Sequence, residues 1–183
     1  MKKLVLIFSI SVAAMVALVS CGGDNTPSPG QEQVSYDVVF TGVNVGANYQ
    51  NVTPPSQEVK LLTVLSSANK DKESYVKTAD IQNNESYVMI EGMKAGDALA
   101  GFSINLKDGT ATTIATISLG KINADPNGNP IKNSTNSCLT FLSTAATNLA
   151  TKKKVTFQIV FNGGEKDVSN LKITIHTKAV FSW

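Results

Sequence analysis

Apolar and polar positions alternate along much of this chain. In LKITIHTKAVF, Leu171, Ile173, Ile175, Thr177, Ala179 and Phe181 share one face, while Lys172, Thr174, His176 and Lys178 share the other. A period of two marks a strand with one side against a core. VTFQIVF groups Val155, Phe157, Ile159 and Phe161 in the same way, and VSYDVVF groups Val34, Tyr36, Val38 and Phe40. The turn-rich NGGEKDVSN separates VTFQIVF from LKITIHTKAVF, which predicts an antiparallel hairpin with a long loop. VKLLTVL is more continuously apolar and predicts a strand covered on both faces. SYVKTA, SYVMIE, ALAGFSINL and TTIATISL follow, with Gly, Asn, Asp or Lys between them. Such short, punctuated runs predict an all-β antiparallel sandwich, Ig-like or jelly-roll-like, of about seven to nine strands.

One segment has a different period. In SCLTFLSTAATNLATKKK, Cys138, Phe141, Leu142, Ala145 and Leu149 recur at helical spacing. This predicts one short helix near 138–150, crossing an end of the sandwich. Ser137 is the expected N-cap, and Lys152 to Lys154 suit the negative end of the helix dipole.

The first thirty residues read as targeting. Met1, Lys2 and Lys3 are followed by an uncharged, almost wholly apolar run from Leu4 to Val19. A positive start and a short apolar stretch make an export signal. A membrane span needs about 20 apolar residues, and Gly22, Gly23, Asp24 and Asn25 are poor helix formers. Residues 1–20 are therefore expected to be a cleaved signal peptide, residues 21–33 a flexible tether rich in Gly, Pro and Ser, and residues 34–183 a single domain. The tether's r.m.s. length is roughly 20 Å on the flexible-chain estimate.

Leu18-Val19-Ser20-Cys21, closing that apolar run, resembles the lipobox of bacterial lipoproteins. The resemblance implies that Cys21 becomes the first mature residue and carries a diacylglyceryl thioether and an N-acyl group. Leu18, Val19 and Ser20 would be the recognition residues. Each buried methylene contributes about 0.8 kcal/mol, so several acyl chains give stable anchoring to a bilayer. Gly22 stands where an inner-membrane retention signal of some enteric bacteria has Asp, which leans the expected location to the outer membrane, facing the periplasm or the surface. CGGDN is also similar to the start of many Bacteroidetes lipoproteins, although Asp24 alone is acidic there.

Composition narrows the function classes. The chain has 16 basic and 14 acidic residues, and Lys2 and Lys3 leave with the leader, so the mature side chains balance. Without a basic surplus, nucleic acid is not an expected partner. There is no arginine, which removes bidentate guanidinium clamps for carboxylate or phosphate. With Cys21 acylated, Cys138 is the remaining thiol, so no disulfide framework forms; it is expected to pack in the core.

Candidate chemistry is sparse, and no cofactor is expected. His176 is the lone histidine, which disposes of two-histidine metal sites, and alternation puts it on the polar face of the last strand as a surface imidazole. Its other role, a general base, needs a nucleophile, and no Gly-x-Ser-x-Gly occurs. Asp125, Asn127 and Asn129 alternate as calcium ligands do, but Pro130 and Asn136 replace the Gly and Glu that such a loop requires, so a tight turn is the first reading. Asp71 with Glu73, and Glu165 with Asp167, sit in lysine-rich loops as solvated charge rather than as acid–base pairs. Among the aromatics, Tyr49, in GANYQNVTPP, and Trp183 are the candidate ligand contacts; Trp183 also suits a cap on one end of the sandwich.

IEGMKAGDALAGF resembles the corner before a late strand of fibronectin type III-like and immunoglobulin-like modules, through Met93, Gly96 and Asp97, with Leu99 in place of the corner Tyr. The expected function is a membrane-anchored, non-catalytic lipoprotein that binds or adheres to a partner outside the cell. The alternatives are a glycan-binding accessory of a polysaccharide-uptake system, a carboxylate-dependent hydrolase and, ranked below these, a fimbrial subunit.

Overall fold

The computed structural model describes residues 11–13, 29–47, 54–163 and 166–183. Its elements in order are β1 (Ser11–Ala13), β2 (Gln31–Val45), β3 (Gln57–Lys60), α1 (Leu61–Val64), a 3-10 helix (Lys70–Tyr75), β4 (Thr78–Ile81) and a 3-10 turn (Asn83–Glu85). They continue with β5 (Tyr87–Glu91), β6 (Ala98–Leu99), β7 (Phe102–Lys107), β8 (Thr113–Leu119), β9 (Ile122–Asn123), β10 (Ile131–Asn133), α2 (Asn136–Lys152), β11 (Lys154–Phe161) and β12 (Val168–Ser182).

The architecture is an all-β antiparallel sandwich. One sheet runs β1-β2-β12-β5-β10, with β4 also on β12, and the other runs β3-β11-β7-β8. A third, two-stranded piece pairs β6 with β9. In the first sheet β12 is central: β2 pairs with it along one edge, and β5 (at Lys172–His176) and β4 (at Ala179–Ser182) share the other. Period-two burial in both sheets fills the space between them. Phe157, Ile159 and Phe161 of β11 are fully buried, as are Ile173, Ile175 and Phe181 of β12. Burying a side chain of that size contributes about 1.5–3 kcal/mol.

The alternating faces of β11 and β12 are as their sequences predict, but the pair is not a hairpin. β11 pairs with β3 and β7, whereas β12 pairs with β2, β5 and β4. The connection after Phe161 crosses from one sheet to the other. In both sheets the apolar face of the strand points into the space between them, as inner faces of a sandwich do.

Other expectations also shift. VKLLTVL is not one strand: β3 ends at Lys60, and Leu61, Val64 and Leu65 are buried at i, i+3 and i+4 while Leu62 is exposed. SYVKTA covers the end of a 3-10 helix and the start of β4. ALAGFSINL is cut at Gly101, whose φ of +126° ends β6 and lets β7 start on a new line. Breaks of this kind raise the count to twelve described strands. At the front, β2 begins at Gln31, so the last three residues expected in the tether belong to the sheet. Glu32, nearly fully buried, accepts bonds from Ser66 N–H (3.0 Å) and Asn69 Nδ2 (3.1 Å). β1 lies within the apolar run read as a leader and pairs with Gln33–Ser35 on the outer edge of β2.

The helix is longer than expected, 17 residues, and buries Cys138, Phe141, Leu142, Ala145 and Leu149, the predicted stripe. Thr135, not Ser137, is its N-cap: Thr135 Oγ1 accepts the Cys138 N–H at 3.4 Å. Lys153 closes the other end in the left-handed conformation, its Nζ donating to the carbonyls of Val76 (2.6 Å) and Ala150 (2.7 Å). The helix packs mainly against β4.

Candidate functional site

Among the described residues, polar chemistry comes together in the loops at one end of the sandwich, in a ladder on the outer face of the larger sheet, and in a groove beside α2.

The loops follow from strand direction. Gly30 N–H donates to Trp183 O (3.0 Å) and Trp183 N–H to Gly30 O (2.9 Å), so entry to β2 and exit from β12 meet at one pole. β2 then runs to Val45 at the opposite pole, where four chain segments begin, at residues 46, 92, 120 and 162, the second and third carrying the β6–β9 pair. Their described parts are tied together. Ala47 N–H donates to Asp167 Oδ1 (2.8 Å), Ala100 N–H to Gly163 O (3.1 Å), Asn162 N–H to Gly101 O (3.1 Å) and Ala124 N–H to Asp97 O (2.9 Å). Tyr49 belongs to the first of these segments by sequence and lies outside the described residues, as do Leu18, Val19, Ser20 and Cys21.

Asp125 sits in the third segment. Its Oδ1 accepts from Asn127 N–H (2.8 Å), Asn129 N–H (3.3 Å) and Asn129 Nδ2 (3.1 Å). The alternating Asp and Asn thus form a turn in which amides take one oxygen of the Asp125 carboxylate. No cluster of three or more His, Cys, Asp or Glu side chains suited to a metal occurs among the described residues.

The ladder centres on His176. Register sets Asp37 opposite it on β2 and Tyr87 opposite it on β5. Asp37 Oδ1 lies 2.5 Å from His176 Nδ1, and the Tyr87 ring stacks on the imidazole at 4.9 Å. Lys132 Nζ sits 4.0 Å from the centre of the Tyr87 ring, a cation–π contact. His176 and Asp37 side chains are only 22% and 27% exposed, so the histidine is a partnered group rather than a free surface imidazole. Flanking charges are paired too, Lys178 with Glu85 (2.6 Å) and Lys172 with Glu91 (2.7 Å).

Trp183 is half-buried against the core, and its ring lies over Gly30, where an added Cβ would come within 2.8 Å of Nε1. It acts as an end cap, one of its two expected roles. Cys138 is fully buried, with Sγ 3.4 Å from the Asn133 carbonyl oxygen, and burial pushes its thiol pKa up. Asp71 pairs with Lys72 (2.5 Å) at an exposed position, and that hydrogen bond holds its carboxyl below the usual range.

The groove was not legible in the sequence. It has a volume of about 450 Å³ and lies between β4 with its following turn and the first half of α2. Asp80, Asn83, Asn136, Thr140, Ser143 and Thr144 supply its polar lining, and Ile81 and Leu139 its apolar lining. β4 is placed by pairing with β12, and α2 by its buried stripe, so the two walls come from independently fixed elements.

No protein-family model matches the chain, and no curated protein matches it. Solved structures similar to it include a chain of Desmodium yellow mottle tymovirus, at 14% identity and TM-score 0.36, covering 92% of this chain and 94% of that one. A chain of the infectious bursal disease virus Gx strain matches at 13% identity and TM-score 0.35, covering 91% of this chain and 37% of that one. One from the semi-empty virus-like particle of the Macrobrachium rosenbergii nodavirus matches at 7% identity and TM-score 0.33, covering 94% and 93%. Likeness at this level carries nothing about function.

Proposed function

We propose that the chain is a lipid-anchored, extracytoplasmic lipoprotein whose sandwich is a non-catalytic binding module. The observation that carries this reading is the Gly30–Trp183 exchange of backbone bonds. It brings both ends of the folded body to one pole, nine residues beyond Cys21. Nine residues span at most about 30 Å, so an acylated Cys21 holds this pole close to the bilayer. The described parts of the four interlocked segments then face away from the lipid. Among the described residues, removing the leader costs the sheet β1, three residues on an edge, and leaves the pairing of β2 with β12 intact.

The surroundings of the two candidate catalytic groups support a non-enzymatic role. His176 is turned between Asp37 and Tyr87, not toward a nucleophile, and Cys138 lies in the core. Balanced charge disfavours nucleic acid as a partner. A glycan or a protein outside the cell is the expected partner, and an outer membrane the expected location.

Mass spectrometry of protein purified from bacterial membranes tests the anchor. The expected product begins at Cys21 and carries a diacylglyceryl thioether, and Cys21→Ser is expected to move the protein from the membrane to the soluble fraction. A retained leader or an unmodified Cys21 thiol would overturn the proposal.

A further inference from the structure

We infer that the groove between β4 and α2 is a binding site for a neutral oligosaccharide. The inference does not depend on the lipid anchor. It rests on what the groove offers. Its volume of about 450 Å³ falls in the range of roughly 300–1,000 Å³ usual for small-molecule sites. The wall combines one carboxylate (Asp80), two carboxamides (Asn83, Asn136) and three hydroxyls (Thr140, Ser143, Thr144).

Five of these six side chains, Asp80, Asn83, Asn136, Thr140 and Ser143, are uncommitted among the described residues. The sixth, Thr144, is committed: its Oγ1 donates to the Thr140 carbonyl (2.9 Å), and the neighbouring Asn148 Nδ2 donates to the Thr144 carbonyl (2.8 Å). Other polar clusters of this protein bond internally, as Asp125 with Asn127 and Asn129, or Asp108 with Thr110 and Thr112. A ring of vicinal hydroxyls matches this open set. A carboxylate accepts two adjacent hydroxyl protons, and carboxamides both give and accept.

Ile81 and Leu139 add an apolar lining for the C–H face of a sugar ring. The groove contains no lysine, which disfavours phosphate, sulfate or uronate ligands, and a single carboxylate leaves a cation short of charged oxygen ligands. The groove lacks an aromatic platform, so affinity is expected in the weak, millimolar range.

The test is a titration of the folded, isotopically labelled chain from residue 22 onward with maltotetraose, cellotetraose, xylotetraose and mannotetraose, followed by amide NMR. Saturable shifts at Asp80, Asn83, Asn136, Thr140 and Ser143 with at least one probe are expected. Asp80→Ala, on the exposed side of a short strand, is expected to weaken that binding about tenfold, the loss of a charged hydrogen-bond partner. Because a variant can fail through misfolding, Ser143→Leu gives a second arm: it narrows the groove from a half-buried helix position, and its melting temperature is checked first. Loss of binding with an unchanged melt supports the inference. No shift with any probe, shifts confined to the loop pole, or a calcium titration that moves the same residues while the sugars do not, would each overturn it.

Discussion

Asp37 and His176, 139 residues apart in sequence, face each other across β2 and β12, with Oδ1 and Nδ1 2.5 Å apart. Directly opposed cross-strand pairs contribute roughly 0.2–1 kcal/mol. A double-mutant cycle with Asp37→Ala and His176→Ala, followed by urea unfolding, is therefore expected to give a coupling energy in that range. A coupling near zero would mean the pair forms without stabilising the sheet, as many exposed ion pairs do.

Cys138 is 0% exposed and held in the first turn of α2. Burial disfavours its thiolate, and a thiolate is the reactive form. A colorimetric disulfide reagent is expected to leave it untouched in the native protein and to titrate one thiol in urea, measured on the chain from residue 22 onward. Cys138→Ala removes one buried sulfur and is expected to cost about 1 kcal/mol.

Gly96 and Gly101 separate two kinds of glycine requirement. Both have positive φ, +84° and +126°. At Gly96 an added Cβ meets nothing within 4 Å, whereas at Gly101 it would come within 2.7 Å of the Leu119 carbonyl oxygen. Gly96→Ala is expected to cost about 1 kcal/mol, the conformational penalty alone. Gly101→Ala is expected to cost about 2–4 kcal/mol, because strain and a backbone clash add. Equilibrium unfolding of the two variants distinguishes them.

Asp108 is expected to contribute to the loss of stability in acid. Its Oδ1 accepts from Thr110 N–H (2.9 Å), Thr110 Oγ1 (2.6 Å) and Thr112 N–H (3.1 Å), holding the turn between β7 and β8. The Thr110 hydroxyl is the main cause of a pKa below the ordinary carboxylate value of 3.8. A folded pKa below the unfolded one means stability that is present above about pH 4 and lost as pH falls through the folded value. Asp108→Asn is expected to lower stability at neutral pH and to flatten the acid limb of a stability–pH curve. An unchanged limb would show that the turn does not depend on the charge.

Much of the fold is written locally. The alternation in LKITIHTKAVF and VTFQIVF names the buried faces of β12 and β11 correctly, and the i, i+3, i+4 spacing from Cys138 names the buried stripe of α2. Alternation fixes which face is buried but not which strand lies alongside, so the sheet change after Phe161 is invisible to it. The run VKLLTVL is ambiguous for the same kind of reason, since an apolar stretch without polar markers has no period to read. The site residues were less legible. His176 acquires its surroundings only through registers that bring in Asp37 and Tyr87. Asp80 and Asn136 become neighbours only because α2 docks on β4. Neither juxtaposition has a motif.

The place of β12 has a consequence for how the molecule is made. Every other strand of its sheet is synthesised first, yet β2, β5 and β4 all need β12 between or beside them to complete their ladders. Until Val168–Ser182 emerges, the larger sheet has no spine and its pairings are all of long sequence separation, which are slow to form. The smaller sheet, β3-β11-β7-β8, has all its strands before Val168, so the larger sheet is the last part of the sandwich that can close.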